Sequence, residues 1–318
     1  MVDVLVSIRD LEVHYYTRVG VVKALDRVSL DIERGQLLGL VGESGCGKST
    51  LGFGLLRLIP SPGRIVGGSI FFDGQNLLDL DQEQMRHIRG KRISMVFQDP
   101  MTSLNPLQRI GDHLVETITT HESVGREEAW HRAEELVDRL GISSSRLDDY
   151  PHQFSGGMRQ RIMISLALAL GSDLIIADEP TTSLDVIVEA QILDLLKELK
   201  EAYELTLMLI THNMGIVAEL VDRVAVMYAA QIVEIADALD LFAKPLHPYT
   251  QGLLKSIPNI KLLDQEFEIM KGSPPDLIDP PSGCRFHPRC PHVMDICSKV
   301  EPPMKLVEGR SMVACHLY

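Results

Sequence analysis

The sequence lacks the long apolar run that a membrane-spanning helix requires. Its most apolar stretch, Ile162 to Leu170, is short and is interrupted by Ser165, whereas a span needs roughly 20 apolar residues. The N-terminal residues Met1 to Arg9 carry Asp3 and lack both a basic head and a small-residue cleavage pattern, so they do not resemble a signal peptide. We therefore expect a soluble protein that stays in the cytoplasm.

An excess of basic side chains is also lacking. The chain has 31 lysine and arginine residues against 44 aspartate and glutamate residues, a net charge of −13 over 318 residues with histidine neutral. Nucleic-acid backbones are bound by clustered basic residues, so this balance argues against a nucleic-acid partner. It leaves a nucleotide ligand open, because such a ligand needs only a few local donors and a metal ion.

Cysteine is scarce and unevenly placed. Of the 5 cysteines, Cys46 lies alone in a glycine-rich segment, and the others cluster near the C-terminus at Cys284, Cys290, Cys297 and Cys315. In a cytoplasmic protein such a cluster indicates a metal site before it indicates disulfides.

Short apolar runs alternate with longer amphipathic segments in most of the chain. Gln36–Val41, Leu174–Ala177 and Leu207–Ile210 are nearly continuous apolar runs, typical of strands covered on both faces. Arg126–Leu140 and Leu184–Lys200 have the apolar spacing of helices. This alternation predicts an α/β fold with a mainly parallel sheet and helices on both faces. After about residue 236, frequent prolines predict a loop-rich appendage that does not extend the sheet.

A glycine-rich segment follows the first of these apolar runs and matches the pattern G-x-x-x-x-G-K-[ST]. Its glycines let backbone N–H groups turn around phosphate oxygens, and the following helix adds the positive end of its dipole. Lys48 would reach the β- and γ-phosphates, and Ser49 would ligate Mg²⁺. The predicted phosphate-binding residues are Gly42, Glu43, Ser44, Gly45, Cys46, Gly47, Lys48, Ser49 and Thr50.

Two adjacent carboxylates, Asp178 and Glu179, end the apolar run Leu174–Ala177. In a phosphate site, the first carboxylate suits Mg²⁺ and the second suits polarisation of the attacking water. Adjacent acids at a strand end can also be ordinary solvated residues. Downstream of a phosphate loop, they favour a site that hydrolyses a nucleotide.

Further short motifs, in order along the chain, resemble those of ABC-type ATPase subunits. Ser155-Gly156-Gly157 is similar to the core of the family signature, usually written LSGGQ, while Phe154 and Met158 depart from it. The resemblance implies that these Ser and Gly residues contact the γ-phosphate of a nucleotide held by a second subunit.

The same resemblance implies roles for single residues elsewhere. Gln98 matches the Q-loop glutamine, which implies a place beside Mg²⁺ and in catalysis; Ser183-Leu-Asp185 matches the D-loop, and His212 matches the switch histidine. Tyr15 is the expected aromatic residue that stacks on adenine, and Tyr16 is its competitor.

The family resemblance also implies an architecture. It consists of a P-loop NTPase core with a mainly parallel sheet, an antiparallel β subdomain, an inserted helical subdomain at about residues 105–165, and a small loop-rich extension. We expect the ATPase domain to span residues 1–236 and the extension to span residues 237–318. The family further implies a head-to-tail dimer, with either a second copy or a homologous chain, that holds ATP and Mg²⁺ between its subunits.

Two segments resemble the oligopeptide and dipeptide importer branch of this family, which also includes nickel importers. They are Phe97–Pro106 and His247-Pro-Tyr-Thr250, the latter followed by Gly252-Leu-Leu254. They imply an ATPase that drives uptake of di- and oligopeptides from the cytoplasmic face of the membrane, as a peripheral subunit. Its partners would be two transmembrane permease subunits and, indirectly, an extracytoplasmic substrate-binding protein. Alternatives are import of nickel or another small solute, and a soluble ABC ATPase of repair or translation.

The C-terminal cysteines offer thiolates that suit a 4Fe–4S cluster or a tetrahedral zinc ion. Zinc knuckles usually contain closely spaced pairs, which are missing from Cys284, Cys290, Cys297 and Cys315. The wide spacing and the Cys290-Pro291 step favour the cluster, and the extension of some peptide-importer ATPases carries one. Zinc remains an alternative, with His287, His292 and His316 as competing ligands, as do free thiols packed in a small apolar cap.

Overall fold

A computed structural model describes residues 3–99, 103–182, 184–256, 270 and 272–318. The predicted D-loop residue Ser183 and residues 100–102 of the predicted Q-loop segment lie outside the described residues. The chain divides into two compact units, one formed by Met1–Asp79 with Ile210–Tyr318 and the other by Leu80–Leu209.

Both units contain strands and helices. The strands are β1 (Val4–Thr17), β2 (Gly20–Glu33), β3 (Leu37–Val41), β4 (Gly63–Phe72), β5 (Gln75–Asn76), β6 (Ile93–Val96), β7 (Leu174–Asp178), β8 (Thr206–Thr211), β9 (Arg223–Tyr228), β10 (Gln231–Asp237), β11 (Lys305–Glu308) and β12 (Ser311–Val313). The helices are α1 (Lys48–Leu55), α2 (Gln82–Ile88), α3 (Ile110–His121), α4 (Arg126–Arg139), α5 (Gly156–Leu168), α6 (Val186–Tyr203), α7 (Met214–Leu220), α8 (Ala238–Ala243) and α9 (Pro248–Lys255). Within the described ranges, none of these helices has both the length and the apolar character needed to cross a membrane.

The first unit contains an antiparallel sheet in the order β2-β1-β4-β5. Inward-facing apolar side chains such as Ile8, Leu11 and Val13 are fully buried, and polar residues alternate with them, as expected of a sheet with one face on the core. This sheet matches the antiparallel β subdomain that the family resemblance implies.

A second group of strands in this unit carries the glycine-rich segment. β3 pairs in parallel with β9, with Leu38 opposite Arg223 and Val41 opposite Val226. Every residue of β3 is buried, which explains its nearly continuous apolar sequence. β9 turns back into β10 as an antiparallel pair.

The C-terminal segment adds strands to this second group, so the expectation that it does not extend the sheet is wrong. β12 pairs antiparallel with β10, with Glu234 opposite Val313, and β11 pairs antiparallel with β12. Val313 is fully buried and packs in one small cluster with Leu246 and Cys315. Burial of these few side chains stabilises the short β11–β12 hairpin. The frequent prolines elsewhere in the segment led to the prediction of loops and gave no sign of this hairpin.

The other unit combines parallel strands with helices. β6 and β7 pair in parallel, with Ile93 opposite Leu174 and Val96 opposite Ala177, which confirms the predicted α/β class. The predicted helix at Arg126–Leu140 is present as α4, and its apolar side is buried at Ala129, Ala133 and Val137.

A buried carboxylate fixes the start of α9. Glu234 of β10 is fully buried, and its two carboxylate oxygens accept the backbone N–H groups of Leu246 (2.8 Å) and His247 (2.9 Å). The His247 ring caps the helix, because its Nδ1 accepts the N–H of Tyr249 at 3.0 Å. Burial lowers the pKa of His247 to about 3, so the imidazole is neutral in the folded protein.

The neutral His247 makes the fold acid-sensitive. Its pKa falls from 6.5 in the unfolded chain to about 3 on folding, so the unfolded chain takes up the proton first. The resulting stabilisation is complete above the unfolded pKa and is lost as the pH falls toward the folded pKa. Urea unfolding should show a loss of about 2 kcal/mol from this group between about pH 7 and about pH 5.

The control is His247→Asn, which keeps a helix-capping side chain that does not titrate. It should reduce the pH dependence of the unfolding free energy by that same amount. An unchanged pH dependence in this variant would contradict the assignment.

Candidate functional site

The glycine-rich segment between β3 and α1, residues 42–50, is held by close backbone packing. Gly42 (φ 154°) and Gly47 (φ 111°) have dihedrals that other residues rarely adopt. A Cβ atom at Gly42 would overlap the carbonyl oxygen of Met227, and one at Gly47 would overlap that of Ala24. Both glycines are therefore required by conformation and by space.

The lysine of the G-x-x-x-x-G-K-[ST] pattern lies inside the loop. Lys48 is 5% exposed, and its Nζ donates to the carbonyl oxygens of Gly42 (2.8 Å) and Glu43 (2.9 Å). A buried ammonium ion surrounded by loop carbonyls is placed to interact with a phosphate anion that enters the loop.

The remaining loop residues lie around the start of α1. Ser44 and Gly45 are exposed, while Ser49 and Thr50 are half-buried in the first turn. Cys46 is buried, and burial raises the pKa of its thiol. The N-cap residue of α1 is Gly47, which has no capping side chain, and the N-terminus of a helix can bind an anion through its first N–H groups.

The two adjacent carboxylates lie at the end of β7 as predicted. Asp178 is 3% exposed, and Glu179 has a left-handed backbone with φ 47°. Glu179 Oε2 accepts hydrogen bonds from Gln98 Nε2 (3.0 Å) and Thr182 Oγ1 (2.9 Å). Gln98 reaches it because β6 and β7 are parallel neighbours whose carboxyl ends meet at one edge. The predicted site residues Gln98 and Glu179 are therefore in direct contact.

Sequence reasoning missed Thr182, the second donor to Glu179. Its position three residues after a strand-ending carboxylate gives no distinctive sequence signal. The left-handed backbone at Glu179 turns the chain so that the hydroxyl returns to the carboxylate. Such strained residues are concentrated at functional sites.

The signature segment forms the N-terminus of α5. Ser155 is its N-cap residue, with Oγ accepting the N–H of Met158 at 3.4 Å, and both Ser155 and Gly156 are exposed. Gly157 lies against α6, where a Cβ atom would overlap Val188 Cγ1. At Phe154, which departs from the family pattern, the buried ring stacks under Arg146 at 4.1 Å.

Asp185 of the predicted D-loop has a clear local role. Its Oδ1 accepts the N–H groups of Ile187 (3.1 Å) and Val188 (2.9 Å), which caps α6. The next side chains, Val186 and Ile187, are 80% and 73% exposed.

The remaining predicted nucleotide-site residues stand on separate elements. His212 is exposed between β8 and α7. Tyr15 is half-buried, whereas its competitor Tyr16 is 47% exposed and lies under Arg64, 5.9 Å from the ring centroid. The choice of Tyr15 remains a prediction.

The C-terminal thiols share one cavity. Cys284, Cys290, Cys297 and Cys315 are free cysteines that all line it, together with His287, His292 and His316. Burial, with added repulsion from the other thiols, raises the pKa of Cys284 to about 11. In the described part of the chain, no three His, Cys, Asp or Glu side chains are arranged as a metal site. The structure therefore brings the predicted thiols together without supporting the predicted cluster or zinc ion.

A phosphate loop ahead of a helix, together with a buried strand that ends in two carboxylates, defines a P-loop nucleotide hydrolase. Comparisons with known proteins narrow this class. Residues 25–182 match the ABC transporter family, and residues 233–297 match the oligopeptide/dipeptide transporter C-terminal region.

Relatives and solved structures agree with these matches. The chain is 43% identical over 310 residues to the oligopeptide transport ATP-binding protein OppD of Escherichia coli (strain K12), covering 97% of this chain and 92% of that protein. It is 44% identical over 314 residues to the dipeptide transport ATP-binding protein DppD of Bacillus subtilis (strain 168), covering 98% and 94%. A dimeric structure of the ATP-binding cassette MJ0796 with ADP and Pi aligns with a TM-score of 0.66 at 27% identity, covering 73% of this chain and 98% of that one. The chain belongs to the ABC transporter ATP-binding proteins, in the group with the oligopeptide/dipeptide C-terminal region.

The close approach of Gly157 to Val188 predicts that a side chain at position 157 destabilises the fold. Gly157→Ala should lower the unfolding free energy by about 1–3 kcal/mol, because the added methyl group overpacks the α5–α6 contact. Thermal and urea unfolding would measure the change.

Gly156→Ala is the matched control, because its Cβ would lie 3.4 Å from Leu184, an ordinary contact distance. It should be neutral or stabilising, since alanine favours the helix. Equal losses in the two variants would show that close packing at Gly157 is not the cause.

Proposed function

We propose that this protein is the ATP-hydrolysing subunit of an ABC importer that drives uptake of di- and oligopeptides. The observation that carries the proposal is the combination of an intact nucleotide site with the peptide-type C-terminal region at residues 233–297. Relatives named for oligopeptide and dipeptide transport match nearly the full chain, which favours peptides over the nickel alternative.

The roles of the site residues follow from their chemistry. Lys48 binds the β- and γ-phosphates, and Ser49, Asp178 and Gln98 would hold Mg²⁺, which neutralises phosphate charge when bound. Glu179 polarises the attacking water. The donors on its Oε2 fix the direction of the carboxylate, and such orientation lowers the cost of reaching the reactive geometry.

Further residues complete the proposed nucleotide site. His212 assists hydrolysis as the switch histidine, and Tyr15 stacks on adenine. Asp185 positions the D-loop through its cap on α6. We also propose that residues 1–236 form the ATPase domain, with its helical subdomain at about 105–165, and that residues 237–318 form the extension.

A head-to-tail dimer is proposed as the active state, with a second copy or a homologous chain. Ser155, Gly156 and Gly157 lie at a helix N-terminus, which can bind a phosphate anion of a nucleotide held by the second subunit. The exposed apolar side chains of Val186 and Ile187 would be covered in the dimer.

We further propose two permease subunits as partners at the cytoplasmic face of the membrane, with a substrate-binding protein acting indirectly. The resemblance of Phe97–Pro106 to the Q-loop segment of peptide importer ATPases supports a permease contact.

Replacement of the proposed base tests both hydrolysis and transport. Glu179→Gln keeps the shape of the side chain and removes its basicity, so kcat for ATP should fall by at least about 100-fold. Nucleotide binding should persist, and ATP should trap the closed dimer, detectable by size-exclusion chromatography.

The same variant gives the transport control. Proteoliposomes with the wild-type complex should accumulate labelled di- and tripeptides in the presence of ATP, and those with Glu179→Gln should not. Near-normal ATPase activity in the variant would remove Glu179 from its role, whereas nickel uptake without peptide uptake would favour the alternative solute.

We propose that the thiols of Cys284, Cys290, Cys297 and Cys315 bind a 4Fe–4S cluster, with zinc as the alternative. The proposal starts from the four cysteines that line one cavity, since four thiolates are the usual ligand set of such a cluster. Such a cluster supplies a cross-link between loops that have little core of their own.

Metal analysis of protein purified without oxygen tests this donor set. Iron and acid-labile sulfide should be present in equal amounts, with broad absorption near about 400 nm, and Cys290→Ser should lower both. Cys46→Ser, outside the cavity, should leave both unchanged. Stoichiometric zinc, or protein without metal, would contradict the cluster.

A further inference from the structure

An acidic side chain lies inside the phosphate loop. Glu43 directly follows Gly42, and its carbonyl oxygen accepts a hydrogen bond from Lys48 Nζ at 2.9 Å. A carboxylate at this place repels a bound triphosphate through space. Binding of a polyanion therefore requires that this charge be neutralised or turned away.

The C-terminal segment supplies the neutralising group. Arg289 Nη1 and Nη2 donate to the two carboxylate oxygens of Glu43 at 2.7 and 3.0 Å. This is the planar two-point geometry in which arginine binds carboxylates most strongly. The Arg289 side chain is 6% exposed and that of Glu43 is 26% exposed, so solvent screens this pair less than a surface pair.

The surroundings of Arg289 keep it charged and in place. Its hydrogen bonds to Glu43 raise the pKa of the guanidinium further above its ordinary value. Nη1 also lies 3.3 Å from the Tyr228 hydroxyl, and the guanidinium carbon lies 5.8 Å and 6.0 Å from the ring centroids of Tyr228 and Phe286.

A second contact from the same C-terminal region reaches the backbone of Glu43. Its N–H donates to the hydroxyl of Tyr249 at 2.8 Å, and Tyr249 is fully buried against Tyr228 with ring centroids 4.5 Å apart. Side chain, N–H and carbonyl of Glu43 are thus all restrained. Two of these restraints come from residues beyond the ATPase core.

We infer that Arg289 is a positioning residue for nucleotide binding, which neutralises Glu43 and holds the start of the phosphate loop. Through it the C-terminal segment contributes to the affinity for ATP and ADP. The role acts on binding of the phosphates and is independent of which solute the transporter carries.

Calorimetric titration of the full-length chain with Mg·ADP tests the inference. Arg289→Met retains an unbranched side chain similar in length to the aliphatic part of arginine and removes the guanidinium group. The negative charge of Glu43 is then unpaired beside the phosphate loop. The Kd should rise about tenfold, the size expected of one poorly screened charge near the ligand. Removal of that charge in the double variant Arg289→Met with Glu43→Gln should restore the Kd to within about twofold of wild type.

Arg285→Met is the matched control. Arg285 lies in the same segment, is 7% exposed and pairs with Asp26 of β2, not with the phosphate loop. Both arginine variants should have a lower melting temperature than wild type, because each loses an ion pair. Only in Arg285→Met should the Kd for Mg·ADP be unchanged.

Three results would overturn the inference: an unchanged Kd in Arg289→Met, an equal rise in Arg285→Met, or a double variant as weak as Arg289→Met alone. Should Arg289→Met fail to fold, Glu43→Gln in the wild-type background decides. With Arg289 intact and its partner neutral, Mg·ADP should bind at least as tightly as to wild type, and a tenfold weaker Kd would refute the role of the charge.

Discussion

The contact between two glycines and two carbonyl oxygens is the constraint on which the nucleotide site depends. Gly42 lies against the carbonyl oxygen of Met227, and Gly47 lies against that of Ala24. There is therefore no room for a side chain at either of these two positions of the phosphate loop. Because β3 is buried and paired with β9, the loop starts from a rigid strand. A rigid start orients the N–H groups before any ligand arrives, which reduces the ordering cost of binding.

The second compact unit also orders its polar groups through local contacts. Parallel pairing of β6 with β7 brings Gln98 to Glu179, and a left-handed turn returns Thr182 to the same carboxylate oxygen. Each unit thus carries a locally ordered set of polar groups: Lys48 within the glycine-rich loop of the first unit, and Glu179 with its two donors in the second.

The sequence alone predicts those elements of the fold that depend on residues close together in the chain. The apolar strands, the helix at Arg126–Leu140 and the glycine-rich loop follow from periodicity and from dihedral requirements. The pairing of β12 with β10 escapes such rules, because burial of Val313 depends on distant partners such as Leu246. Proline content is a poor guide where a few long-range contacts outweigh local preference.

The same distinction holds at the candidate site. Gln98 and Glu179 are found by motif, and their contact follows from strand order. The contacts of Thr182 with Glu179 and of Arg289 with Glu43 have no signature in the local sequence. The first depends on a backbone turn, and the second depends on where a remote segment places the arginine. Tyr249 occupies an intermediate position: its motif marks the segment, but only the fold shows that the hydroxyl meets Glu43.

The distance along the chain between Glu43 and its restraints has a consequence for biosynthesis. Tyr249 and Arg289 follow Glu43 by 206 and 246 residues, and domains fold progressively as the ribosome extends them. The glycine-rich loop is therefore made long before the groups that secure it are translated. A nascent chain that has not yet reached Tyr249 and Arg289 would carry this loop without the two contacts.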